Sequence, residues 1–163
     1  MWGDHVKKFE VLITERTAAI YPSCDGVHQS KVVDCSGEVT YSKKTVKEVL
    51  EESCIVHGSD YNGRIRAVRR VLSYDRKTPL LVSLMDYILA IPTQSPDNDD
   101  CIWLFCRHIH STTVACGKTF VHFTNGLKME VNCSYDVLHR QLQRGAVTMN
   151  YFSRYPRPHG AKN

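Results

Sequence analysis

The sequence predicts an α+β fold, a single antiparallel β-rich domain carrying two or three helices. Three observations predict it. Short runs with period-two alternation recur along the chain, bounded by turn-forming residues. The period switches to a helical one over Thr45 to Cys54, over Tyr61 to Leu72 and again after Ser134. The 163 residues, 42% hydrophobic and 23% charged, are enough for one packed core. The domain is placed at residues 1–150, with 151–163, rich in Pro and Gly, as a loosely held C-terminal tail.

In chain order, Lys8 to Thr14 reads as a strand, with Phe9, Val11 and Ile13 on one side. Thr17 to Tyr21 and Val27 to Val33 follow, separated by Pro22 and the turn former Ser23-Cys24-Asp25-Gly26, and together the three suggest an antiparallel meander. Thr45 to Cys54 then places Val46, Val49, Leu50 and Cys54 at helical spacing, with Lys47 and Glu51 as a charge pair. Tyr61, Ile65, Val68 and Leu72 form the stripe of a second helix. The apolar runs Leu80-Leu81-Val82 and Tyr87 to Ile91 read as buried strands, closed by Pro92. Thr93 to Asp100 is a polar loop whose acidic Asp97-Asn98-Asp99-Asp100 lacks the glycine and downstream glutamate of a calcium loop.

Ile102 to Ala115 alternates as one long strand. Asn125-Gly126 predicts a two-residue type I′ hairpin that sets Phe120, His122 and Thr124 opposite Val131, Met129 and Leu127. Ser134 suits a helix N-cap, Asp136 its first turn, and Tyr135, Leu138 and Leu142 its apolar stripe, with Gly145 expected to end or bend the helix.

Charge is uneven. Residues 1–59 carry seven Lys/Arg against nine Asp/Glu, and residues 60–163 carry fourteen against eight. The densest run is on the second helix, where Arg64, Arg66, Arg69 and Arg70 occur with no acid between Arg64 and Leu72, and Arg76 and Lys77 follow. Arg66, Arg69 and Arg70 are expected on the side opposite the apolar stripe. A single-sign face of this density repels itself and suits an external polyanion. Lys118, Lys128, Arg140 and Arg144 are the next candidates.

The seven cysteines are odd in number, irregularly spaced and without a CxxC pair. With no apolar leader at the start, they predict a reducing cytosol and free thiols. No apolar run reaches the roughly 18 residues that span a bilayer, so no membrane partner is expected. Phosphate-binding, serine-nucleophile and dinucleotide glycine motifs are absent. Cys106, His108 and His110 share one face if the strand is continuous, which would suit zinc. Side chains at i, i+2, i+4 on a strand are roughly 6–7 Å apart per step, an awkward spacing for one small ion. They are therefore read as structural, and no cofactor or metal is expected.

Taken in order, Phe9-Glu10-Val11, Pro22, Gly26, Ser30-Lys31, Ser53-Cys54, Gly58-Ser59-x-Tyr61-x-Gly63-Arg64, Pro79, Pro92, Trp103, His108-x-His110, Phe123-x-Asn125-Gly126-x-x-Met129-Glu130 and Ser134-Tyr135 resemble the ComK family. These are competence transcription factors of Gram-positive bacteria. The resemblance runs from about residue 8 to 146 and carries over one basic residue directly, Arg64. It implies a cytoplasmic, nucleoid-associated activator of competence genes that binds AT-rich promoter boxes on double-stranded DNA, through the minor groove and as a homo-oligomer. It also implies RNA polymerase and a protease adaptor as partners. Longer members continue into a C-terminal extension used in activation and adaptor recognition, whereas this sequence stops at Asn163. Two other readings stay open: a polyanion- or acidic-protein-binding module without DNA specificity, and a metal-dependent enzyme built on Cys106, His108 and His110.

Overall fold

The apolar runs in the middle of the chain are buried on both sides, and that decides the architecture. In the computed structural model, which describes residues 9–154, a six-stranded antiparallel sheet separates two cores. Its strands are β1 (Thr17–Pro22), β2 (Ser30–Asp34), β3 (Val39–Ser42), β4 (Leu80–Ser83), β5 (Ile88–Pro92) and β6 (Trp103–Phe105), in the order β3-β2-β1-β6-β5-β4. Ile20, Ile88, Ala90, Trp103 and Phe105 face one core, closed by α1 (Val46–Val56) and α2 (Tyr61–Leu72). Their neighbours Ala19, Ile91 and Leu104 face the other. That second core is closed by α3 (Tyr135–Arg154) and a three-stranded meander of β7 (Ile109–Ala115), β8 (Lys118–Phe123) and β9 (Lys128–Val131). A strand covered on both faces carries apolar residues at successive positions, which is why Ile88 to Pro92 shows no alternation.

The expected α+β class is met, with three helices and two antiparallel sheets. Several local expectations are corrected. Residues 9–14 form no strand, and Lys8 lies outside the described residues. Leu12 is partly buried while Val11 is 55% exposed, so the alternation is not kept, and only Ile13 plugs the α1/α2 core. The meander instead gains β3 on its other side. That strand has only Ser42 buried, so it shows no apolar pattern to read.

Ile102 to Ala115 is not one strand either. A single turn of 3-10 helix, Cys106–His108, breaks it where the chain leaves one sheet for the other. His108 holds the break, with Nε2 2.6 Å from the Glu15 carbonyl and its own carbonyl accepting from Thr124 N–H at 2.9 Å.

The hairpin at Asn125-Gly126 exists, but its turn and register differ from expectation. Phe120 pairs with Glu130 and His122 with Lys128, one residue away from the expected pairing. Phe123 and Leu127 close a three-residue loop in which only Gly126 has positive φ, with Gly126 N–H bonded to the Phe123 carbonyl. This is a type I turn followed by a left-handed residue, the next most common hairpin connection. The two-residue turn with positive φ at both positions falls at Cys116-Gly117, between β7 and β8.

Ser134 caps α3 as expected, its Oγ accepting from Val137 N–H at 3.2 Å. Gly145 does not end it: α3 runs 20 residues, through Tyr151 to Arg154 of the expected tail. Residues 155–163 lie outside the described residues. No helix among the described residues is long and apolar enough to cross a membrane.

Candidate nucleic-acid interface

α2 begins where the sequence places it. Asp60 caps it by accepting from Asn62 N–H at 2.8 Å, and Tyr61, Ile65 and Val68 are buried against β4 and α1. With this stripe fixed, helical geometry places the arginines at 100° per residue. Arg66 and Arg70 point away from the core and are exposed. Arg69 and Arg64 flank the stripe instead, on opposite sides and roughly 140° apart. The expected common face of Arg66, Arg69 and Arg70 is therefore a fan rather than a flat surface.

Arg69 leans toward the following loop, where its Nε–H donates to Thr78 Oγ1 at 2.9 Å. Arg64 is partly buried against the end of α1, and its Nε is enclosed with no hydrogen-bond partner. It stands near Cys54, whose thiol burial pushes up to about 11 although the Arg64 charge pulls the other way.

Arg76 and Lys77 are positioned by α3. Arg144 Nη1–H donates to the Arg76 carbonyl at 2.6 Å while its guanidinium covers the Tyr74 ring at 4.7 Å. Gln141 Nε2–H donates to the Lys77 carbonyl at 2.8 Å and to that of Pro92 at 2.9 Å. Lys77 itself takes a left-handed φ of 51°. The fold thus holds the backbone of both residues; the Arg76 side chain is exposed and that of Lys77 half-buried.

Arg69, Arg76 and Lys77 meet at a cleft of about 510 Å³ that is floored by Tyr61 and Ile65. Lys47 of α1 completes it, with Nζ 5.8 Å from the Tyr61 ring centroid. Lys47 does not make the expected pair with Glu51; α1's ion pair at this end is Lys44–Glu52, at 2.6 Å. Sequence reasoning passed over Lys47 as a site residue, since nothing local links it to a helix fourteen positions on. Asp75 and Asp97 also line the cleft, but among the described residues no carboxylate forms an ion pair with Lys47, Arg64, Arg66, Arg69, Arg70, Arg76 or Lys77. Burial raises the Tyr61 hydroxyl to about 12, so the ring stays neutral beneath these cations.

Three of the other four basic candidates are engaged, while Arg140 is exposed. Lys118 pairs with Glu130 at 3.8 Å, Lys128 lies over the Phe120 ring at 4.3 Å, and Arg144 is held between Tyr74 and the Arg76 carbonyl.

The zinc constellation does not assemble, because the 3-10 turn takes Cys106 and His108 off the strand face of His110. Burial pushes the Cys106 thiol up to about 12, a poor state for a thiolate ligand. Among the described residues no group of three His, Cys, Asp or Glu could hold a metal ion.

Residues 6–154 match the ComK protein family. A protein of Bacillus subtilis (strain 168) described as a competence transcription factor is 31% identical over 136 residues, 80% of this chain and 68% of that protein. No solved structure is significantly similar to the chain.

Proposed function

The chain belongs to the ComK family, and from that premise we propose that it is a DNA-binding transcription factor that activates competence genes by engaging AT-rich promoter boxes through the minor groove. The contact set is Arg64, Arg66, Arg69, Arg70, Arg76 and Lys77, joined by Lys47. The observation that carries the reading is that these cations cluster on and beside one helix and none forms an ion pair with a carboxylate among the described residues, whereas Lys118 is paired with Glu130 and Arg144 is held at the Arg76 carbonyl. Unpaired cations cost self-repulsion in the free protein and recover it when phosphates displace their counterions. A narrow AT-rich minor groove adds a deeper negative potential that favours inserted arginine.

The same reading takes the active species to be a homo-oligomer in the cytoplasm, at the nucleoid. It meets RNA polymerase at promoters and an adaptor that delivers it to a protease. A gel shift on AT-rich promoter DNA against GC-rich DNA of equal length, near physiological salt, tests the central claim. Preference for the AT-rich fragment is the expected result. Equal binding to both, and to heparin, would leave a polyanion-binding module in its place.

A further inference from the structure

A second surface lies on the α3 side of the large sheet, away from α2. A groove of about 870 Å³ runs between α3 and β7, and two patterns in its walls define its shape. From α3 come Tyr135, His139, Leu142, Ala146 and Met149, at i, i+4, i+7, i+11 and i+14. This is one stripe, about 21 Å long by helical rise. From β7 come four consecutive residues, Ile109 to Thr112. Successive side chains of a strand point to opposite faces, so a groove touched by all four follows the strand's edge and not one of its faces.

Among the described residues that edge is unpaired, since β7 is the outer strand of the order β7-β8-β9. Ala115 and Lys118 close the two-residue turn as a hydrogen-bonded pair. Counting back from them, Thr112 and Val114 occupy non-hydrogen-bonded positions opposite β8, so their N–H and C=O groups point outward. A free strand edge beside a helix is a template for an added strand.

The lining states what would fit. Its floor is apolar, with Leu89, Leu142, Ala146 and Met149. Its polar groups include Arg107, His110 and His139, the last with Nε2 2.9 Å from Thr112 Oγ1 on the β7 wall, and it contains no Asp or Glu. Arg107 donates to a backbone carbonyl, that of Asp86 at 3.1 Å, and among the described residues no carboxylate forms an ion pair with it. A second copy of β7, Ile109–Ala115, would bring no acid to meet it.

We propose that this groove binds an extended, acidic peptide segment of another protein, which adds to β7 as a strand and alternates apolar side chains with carboxylates. At about 3.4 Å per residue the stripe accommodates about six residues. Main-chain bonds to Thr112 and Val114 supply affinity, the apolar floor takes every second side chain, and Arg107 selects the charge.

Panning a random nonapeptide library against the full chain tests this. Enriched sequences should alternate apolar residues with Asp or Glu. A synthetic winner should lose at least about tenfold in affinity when its pairing amides are N-methylated, a change that leaves the protein untouched. Ala146→Trp should fill the groove and weaken the same peptide, while melting and DNA gel shifts stay as in the wild type; Val114→Pro, at an exposed position, deletes an outward N–H and should act alike. No enrichment, winners rich in Lys and Arg, indifference to N-methylation, or equal binding to a folded Ala146→Trp variant would each overturn the proposal. So would a dimer in sedimentation that Val114→Pro dissociates, since the edge would then belong to a second copy.

Discussion

Gly145 lies directly over the Cys106 thiol: a Cβ built on Gly145 would stand 2.9 Å from Cys106 Sγ and 3.2 Å from Ile91 Cγ2. The missing side chain is what lets α3 settle onto β5 and the turn that follows β6. At Gly63 of α2, a Cβ would meet only Asp60 Cβ, at 3.8 Å. Gly145→Ala should therefore destabilise the fold by about 1–3 kcal/mol through overpacking. Gly63→Ala should stabilise it by about 0.5–1 kcal/mol through helix propensity. Urea midpoints that moved in the same direction would refute this difference in packing.

The two hairpin turns should respond to opposite changes. Gly126 sits at φ 88°, and forcing a β-branched residue there by Gly126→Val should cost about 1–3 kcal/mol. Cys116 takes φ 51° without being glycine. Cys116→Asn, which suits a type I′ turn, should raise the melting temperature. An unchanged melting point for Gly126→Val would mean the loop does not hold that conformation.

Asp25 organises the β1–β2 connection. Its Oδ1 accepts from His28 N–H at 2.6 Å and Val27 N–H at 2.8 Å, and its Oδ2 lies 2.8 Å from His28 Nδ1. These bonds, the His28 backbone bond foremost, lower its pKa from 3.8 to about 2. A carboxyl depressed on folding contributes stability that is complete above its unfolded pKa and vanishes as pH falls through the folded one. The melting gap between wild type and Asp25→Ala should hold at pH 6, shrink below about pH 4 and close near pH 2. A gap that persisted at pH 2 would show that the bonds do not depend on ionisation.

For DNA, the free cations should act separately from the engaged ones. Alanine at Arg66, Arg70 or Arg76 should weaken binding on all sequences and lower the salt slope by about one for each phosphate no longer neutralised. An arginine inserted in the groove should instead cost affinity mainly on the specific site. Arg144→Ala should act first on melting temperature, because that side chain holds the Arg76 carbonyl. If replacing Arg64, Arg66, Arg69 and Arg70 together left a folded protein with undiminished binding, the interface would lie elsewhere.

Groove choice can be read by base substitution. Inosine·cytosine presents a minor-groove face like A·T, because inosine lacks the guanine amino donor, and a major-groove face like G·C. Binding should largely survive A·T→I·C replacement in the boxes and fall on A·T→G·C replacement. Loss of binding to the I·C site as complete as to the G·C site would mean that α2 reads the major groove.

Much of this protein is legible in the sequence because its signals lie within a few residues of one another. The stripe Tyr61-Ile65-Val68 fixed α2, Ser134 fixed the start of α3, and ordered motifs along the chain pointed to the family. Arg64 to Lys77 was visible as a basic run for the same reason. What the sequence could not show depends on partners distant along the chain. Whether Gly145 breaks a helix or lets it approach a sheet depends on Cys106 and Ile91. Whether Ile102 to Ala115 is one strand depends on a second sheet being there to receive its later half. Lys47 joins Arg69, Arg76 and Lys77 only because α1 and α2 pack together, and which arginines are free depends on where Thr78 and α3 lie. Local hydrogen bonding and periodicity are encoded over three or four positions, whereas burial and charge pairing are set by whatever else the tertiary structure brings within a few ångströms.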